Sequence, residues 1–170
     1  MSEYRRRRAP GGTYFFTACL ADRRAQLLIE RIGLLRDVVR LTRKRMPFTI
    51  DCAVVLPAEM HMIWTMPEGD DDYPARWRLL KSTFSRHVRS EMADPPPTDH
   101  RGDAELWQRR YWEHLIRDDA DHVSHRAFIL MAPVRAGLVT RPEDWPFSSI
   151  HQKALPGLPD HPVEPPRRVA

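Results

Sequence analysis

Two apolar, strand-like runs, Phe48 to Leu56 and Met60 to Met66, are separated by little more than Pro57-Ala58. A connection that short leaves no room for a crossover, so the two runs must pair as an antiparallel hairpin. Everything else in the chain has to pack around that hairpin. Upstream, Thr13-Tyr14-Phe15-Phe16-Thr17-Ala18-Cys19-Leu20 is aromatic and β-prone and predicts a buried strand. Between it and the hairpin, residues 25–46 have helical spacing: Leu28, Ile32, Leu35 and Val39 share one face, and Arg36, Arg40, Arg43 and Lys44 share a face read as solvated. Pro47 ends that helix. A second helix is predicted over about residues 74–92, with Trp77, Leu80, Phe84 and Val88 on its apolar side. Leu106 to Ile116 reads as a further strand. A third helix is predicted to start at Asp118-Asp119, where negative charge meets the helix dipole, and to run to about Ala132. Pro133 to Gly137 is expected to turn the chain, and Asp144-Trp145-Pro146-Phe147 to pack as a hydrophobic cap. The order β-α-β-β-α-β-α predicts an α+β fold: a ferredoxin-like split βαβ antiparallel sheet with helices on one face, plus an extra C-terminal helix.

With 170 residues, 42% of them hydrophobic, the chain suits one domain with a real core. Eight of the 16 prolines cluster in a loop over residues 93–104 and in the tail after Lys153. We therefore expect one domain over residues 1–152 and a poorly ordered Pro-rich tail over 153–170. Cys19 and Cys52 lie in strand-like runs outside any CxxC pattern and read as buried free thiols. No run reaches transmembrane length and the N-terminus has no signal-peptide core, so the expected location is the cytoplasm, with no membrane partner. Lys and Arg number 27 against 23 Asp and Glu. The resulting pI of about 9.4 fits a nucleic-acid partner, and an ordinary basic protein nearly as well.

Four strings carry the chemistry. In Val55-Leu56-Pro57-Ala58-Glu59-Met60-His61, the acid at 59 and the imidazole at 61 alternate onto one strand face, where together they could hold a divalent cation. Alone, such a pair is more often a surface feature. Arg76-Trp77-Arg78-Leu79-Leu80-Lys81-Ser82-Thr83-Phe84-Ser85-Arg86 and Trp107-Gln108-Arg109-Arg110-Tyr111-Trp112-Glu113-His114 interleave aromatics with cations. Aromatic faces stack on unpaired bases while cations follow phosphates; core aromatics beside solvated charges are the plainer alternative, at least as good for Trp77 and Trp112. The fourth string is Ala132-Pro133-Val134-Arg135-Ala136-Gly137 followed by Asp144-Trp145-Pro146-Phe147.

Together and in this order, from Tyr4-Arg5-Arg6 and Gly11-Gly12-Thr13 to about Ile150, these strings resemble the REP-associated tyrosine transposases, relatives of the HUH single-strand transposases. The resemblance implies binding of hairpins in single-stranded DNA and cutting beside them. It implies a His-hydrophobic-His motif holding Mg²⁺ or Mn²⁺, a tyrosine nucleophile on the last helix, and an Asn or Gln one turn later completing the metal shell. It implies DNA contacts from Arg5, Arg6, Arg7, Arg78, Lys81, Arg86, Trp107, Gln108, Arg109, Arg110, Trp112 and His114, and a monomer rather than a dimer.

At the catalytic positions the chain departs from that pattern. Glu59 replaces the first His of the metal motif and only His61 is kept; Phe128 stands at the nucleophile position and Ala132 at the later ligand position. Phenylalanine keeps the ring but lacks the oxygen that attacks phosphorus. Glu59 and His61 remain competent metal ligands, so a bound Mg²⁺ or Mn²⁺ and no cofactor are the two alternatives here. The other tyrosines, Tyr4, Tyr14, Tyr73 and Tyr111, fall outside the last helix. Three functions follow: a hairpin-DNA binder that has lost nicking and strand transfer, an active metal-dependent nicking enzyme with a rearranged site, and a protein-interaction module.

Overall fold

The computed structural model describes residues 8–93 and 106–151. Strands β1 (Thr13–Cys19), β2 (Thr49–Val55), β3 (Glu59–Thr65) and β4 (Trp112–Leu115) form one sheet in the order β2-β3-β1-β4, with every neighbouring pair antiparallel. The hairpin β2-β3 forms around Pro57-Ala58, and β1 inserts beside β3, which gives the split βαβ arrangement. The loop at 93–104, apart from Ala93, and the tail at 153–170 lie outside the described residues.

The alternation of each strand sorts the side chains into two cores. Tyr14, Phe16 and Ala18 of β1 and Met60, Met62 and Trp64 of β3 face one way, onto helices α2 (Ile32–Arg45) and α3 (Tyr73–Ser90). Trp64 and Trp77 stack with ring centroids 4.5 Å apart, and Trp77, Leu80, Phe84 and Val88 are all buried there. Phe15, Ile63, Cys52 and Val54 face the other way, onto helix α4 (Asp119–Arg135). Two helices therefore cover one face, and the C-terminal helix covers the other.

Three local expectations are revised. The helix expected over 25–46 is two pieces, α1 (Leu27–Glu30) and α2, broken at Arg31. The break lets Leu28 tuck under the hairpin turn, its N–H bonded to the Pro57 carbonyl at 3.2 Å, while α2 turns Leu35, Val38 and Thr42 inward. Val38 thus takes the buried place expected for Val39. The run 106–116 is strand only at its end: Trp107 makes an isolated bridge to Leu20, and residues 108–111 leave the ladder before β4 begins. Finally, α4 continues through Pro133 to Arg135. A proline costs its own N–H, but its carbonyl is still available; here it accepts from the Leu138 N–H at 3.0 Å, while Gly137 (φ +70°) donates to the Val134 carbonyl at 3.0 Å. This pair of bonds closes the helix one turn later than the proline suggests.

The outer edge of β2 is sealed by the chain after α4. Trp145 Nε1 donates to the Val55 carbonyl at 2.9 Å, the Val55 N–H donates to the Phe147 carbonyl at 2.9 Å, and the Ser149 hydroxyl bonds both the N–H and the carbonyl of Ala53. Those contacts satisfy edge groups that would otherwise template association. Among the described residues no helix is long and apolar enough to cross a membrane.

The acidic segment Glu68-Gly69-Asp70-Asp71-Asp72 has a structural use. Arg76 is 1% exposed and grips Asp70 with both terminal nitrogens (3.2 and 2.7 Å) while donating to the carbonyls of Met46, Pro47 and Asp72. One buried guanidinium thus ties the end of α2 to the start of α3. Arg76→Met should destabilise the fold by about 3 kcal/mol, because Asp70 and three carbonyls lose their shared donor; urea unfolding followed by tryptophan fluorescence measures the loss.

Candidate functional site

The register of the sheet assembles the site. Cys19 of β1 stands opposite Glu59 of β3, and Thr17 stands opposite both His61 of β3 and Trp112 of β4. All of these belong to the face that α4 covers. His61 is 5% exposed; its Nδ1 lies 2.7 Å from the Thr17 hydroxyl and its Nε2 lies 3.5 Å from Glu59 Oε1. The other oxygen of Glu59 pairs with Arg23, which follows β1 and also donates to the Ala58 carbonyl at 3.1 Å. Contact with His61 pulls the Glu59 carboxyl down to about 2, against the opposing effect of burial and with help from Arg23.

Helix α4 presents Asp121, His125, Phe128, Ala132 and Arg135 at helical spacing along one stripe. The Phe128 ring stands edge-on to His61, centroids 5.3 Å apart, and Phe15 completes the triangle at 5.7 Å from Phe128 and 6.1 Å from His61. Ala132 is buried against this second core. The Arg135 guanidinium lies over the Phe128 ring, 3.8 Å from its centroid, and donates to the Phe128 carbonyl at 2.7 Å. Burial lowers Arg135 from an arginine's ordinary value, while the Glu59 carboxylate acts in the opposite direction.

The start of α4 is fastened to the edge strand. Asp118 caps the helix by accepting from the Asp121 N–H at 2.8 Å. Asp121 in turn accepts from His114 Nε2 of β4 at 2.8 Å and from the backbone and side chain of Arg117 at 2.9 and 3.2 Å. His125 Nδ1 donates to the Asp121 carbonyl at 2.8 Å, and its ring stacks on that of His114 at 4.5 Å and 14°. His114, Asp121 and His125 bring one ligand-type atom each within 4.8 Å of one another, the one such His/Asp group among the described residues that could hold a metal ion. Within the group Asp121 bonds both histidines, His114 through its carboxylate and His125 through its carbonyl, while His125 Nε2 is buried without a hydrogen-bond partner. It works as a clamp.

The remaining predicted residues separate by layer. Arg78, Lys81 and Arg86 lie along α3, on the layer opposite His61; Arg78 and Arg86 are exposed, and Lys81 donates to the Gln108 carbonyl at 2.8 Å. Trp107 is 6% exposed, packed edge-on to Phe84 with Lys81 above its ring, so its faces are covered by protein. Gln108, Arg109 and Arg110 are exposed in the loop before β4, and the Gln108 N–H bonds the Cys19 carbonyl at 2.9 Å. That loop is therefore attached at the same end of the sheet as Glu59 and His61. Trp112 is half-buried in the second core, and His114 is half-buried under α4. Arg5, Arg6 and Arg7 lie outside the described residues. Tyr14, Tyr73 and Tyr111 all pack in the first core, on the far side of the sheet from His61.

No family model matches the chain. It is 42% identical over 158 residues to a REP-associated tyrosine transposase of Escherichia coli K12, covering 93% of this chain and 88% of that protein. The chain belongs to the REP-associated tyrosine transposases. A putative REP-associated tyrosine transposase of Haemophilus influenzae Rd is 39% identical over 153 residues, covering 89% of this chain and 87% of the relative. A solved REP-associated tyrosine transposase bound to a REP hairpin superposes with a TM-score of 0.79 at 37% identity, covering 98% of this chain and 99% of that one.

The divalent cation implied by the resemblance to this transposase family does not fit the residues present at Glu59 and His61. Both nitrogens of His61 have partners, one oxygen of Glu59 is paired with Arg23, and Ala132 supplies no donor. Thr17, Arg23 and Arg135 escaped sequence reading: Thr17 is defined by inter-strand register, and the two arginines by chain crossings that no local motif encodes.

Asp121 has an ordinary value of 3.8. Burial would raise it, but bonds from His114 and Arg117 prevail and hold it at about 2. Burial lowers His125 from 6.5. In both cases the folded state binds fewer protons than the unfolded chain, so stability is fully present above the unfolded value and falls as pH drops through it. Stability should therefore decline below about pH 6.5 through His125, with a second loss below pH 3.8 through Asp121. Asp121→Asn should cost about 2 kcal/mol at neutral pH and flatten the acid limb. Urea midpoints measured across pH check both.

Proposed function

We propose that this transposase-family chain binds hairpins in single-stranded DNA and neither nicks them nor forms a covalent adduct. The observation that carries the reading is Phe128: a ring with no oxygen stands 5.3 Å from His61, and the three tyrosines among the described residues lie in the opposite core. A hydroxyl nucleophile supplied from those positions would have to cross the sheet. Positions 59, 128 and 132 depart together from the family pattern, so the chemistry is lost as a unit while the scaffold stays packed.

Binding does not need the catalytic groups that the family pattern has at those three positions. The exposed cations Arg78, Arg86, Arg109 and Arg110 suit phosphates, with Lys81 and Gln108 joining the α3 layer to the loop beside the site. The solved relative bound to a REP hairpin supports the choice of a hairpin as ligand. Residues 1–152 would act as the binding unit, as a monomer in the cytoplasm. Trp107 and His114 would contribute by positioning: Trp107 seats Lys81, and His114 seats α4 through Asp121.

End-labelled single-stranded hairpins and matched duplexes, incubated with the protein and Mg²⁺ or Mn²⁺, test this directly. A native gel should show hairpin-selective binding, and a denaturing gel neither nick nor adduct. Cleavage abolished by His61→Ala would establish the rearranged-enzyme alternative instead. Arg109→Ala with Arg110→Ala should weaken hairpin binding at least about tenfold and reduce the salt slope; unchanged binding would favour an interaction module. The triple reversion Glu59→His, Phe128→Tyr, Ala132→Asn should restore nicking in a folded protein.

A further inference from the structure

The site around His61 carries two arginines. Arg23 and Arg135 contribute two positive charges against the single negative charge of Glu59, a surplus of one before His61 is counted. Arg23 is engaged by Glu59 and the Ala58 carbonyl. Arg135 is placed differently. One face of its guanidinium is covered by the Phe128 ring and one N–H is bonded to the Phe128 carbonyl, yet the residue as a whole is exposed. A guanidinium carries five N–H donors in a fixed fork. Phe128 consumes one of them and holds the plane still, so the rest stay available in a fixed orientation.

A ring under a guanidinium does not compete for its donors, because cation–π attraction acts through the face while hydrogen bonds leave in the plane. The platform also orders a long side chain in advance, which lowers the cost of binding. A divalent cation offered to this site would meet two arginines and an acid already neutralised. A phosphate would meet a net positive charge and a preset planar fork.

We propose that the site at Glu59, His61 and Phe128 is a metal-independent phosphate clamp, in which Arg135, seated on the Phe128 ring, takes a backbone phosphate of the DNA and Arg23 neutralises Glu59 beside it. Phe128 thereby acts as a positioning residue for Arg135. The proposal rests on the hairpin-binding reading for the identity of the ligand, and on the local geometry alone for its chemistry.

Two experiments on the full chain separate these supports. Fluorescence anisotropy with a labelled hairpin should give a Kd equal within about twofold in EDTA and in Mn²⁺. Arg135→Ala should weaken it about tenfold and reduce the salt slope by about 0.7, the value for one phosphate on a single strand. Arg135→Lys, a point charge without the fork, should fall between. Titration with inorganic phosphate, followed by the Arg135 Nε–H resonance (assigned by its absence in Arg135→Lys), should shift that signal in wild type, and less in Phe128→Ala. Manganese EPR should show no ion taken up. A phosphate-induced shift without hairpin binding would sink the hairpin reading and leave the clamp standing. Mn²⁺ uptake, a Kd that requires Mn²⁺, or an Arg135 signal and salt slope indifferent to phosphate and to Arg135→Ala would overturn the clamp.

Discussion

The Asp121 carboxylate is the joint on which the site depends. It joins β4 to α4 through His114, holds the intervening turn through Arg117, and sits inside the first turn capped by Asp118. From that point the helical repeat has no freedom: His125, Phe128, Ala132 and Arg135 must follow along the same stripe, at heights set by a rise of about 1.5 Å per residue. The far end is held by Ile129, Leu130 and Ala132, packed into the second core of the sheet. A helix pinned at both ends over a four-stranded sheet delivers one ring to His61 and one guanidinium above that ring.

The sheet supplies the other half. β3 is central, flanked by β2 and β1, and carries Glu59 and His61 on the α4 side and Met60, Met62 and Trp64 on the other. The aromatic core behind it stiffens the strand, so the two polar residues are presented from a rigid element. Glu59, Phe128 and Ala132 sit within this frame: Glu59 ties β3 to the segment after β1 through Arg23, Phe128 packs on Phe15 and His61, and Ala132 is buried in the second core. The same polar face that suits metal-assisted chemistry in a transposase then carries an ion pair, an edge-on ring and a stacked arginine. The exposed cations on α3 and on the 108–110 loop belong to other elements than the ring at 128.

Much of the fold was legible because strand alternation and helix spacing are local. The hairpin at Pro57-Ala58, the apolar stripe from Trp77 to Val88 and the capped start at Asp118 could be read directly. The failures were places where a tertiary contact outweighed local preference. The break at Arg31 exists because Leu28 and Leu35 serve different neighbours. The strand before β4 shortens because Trp107 turns into the core beside Phe84 and residues 108–111 run outside the ladder. α4 runs through Pro133, which is buried in the helix packed against the sheet, and closes only at Arg135.

By itself the sequence determined the element order, the antiparallel sheet and the family resemblance, since each is a matter of residue type and spacing along the chain. Only the tertiary structure decided that Arg23 neutralises Glu59, that Thr17 and Glu59 occupy the two nitrogens of His61, and that Arg135 lies on Phe128. Those contacts depend on strand register and on where a helix is pinned across the sheet. Both are set by the packing of residues far apart in the chain, and no local pattern of side chains records them.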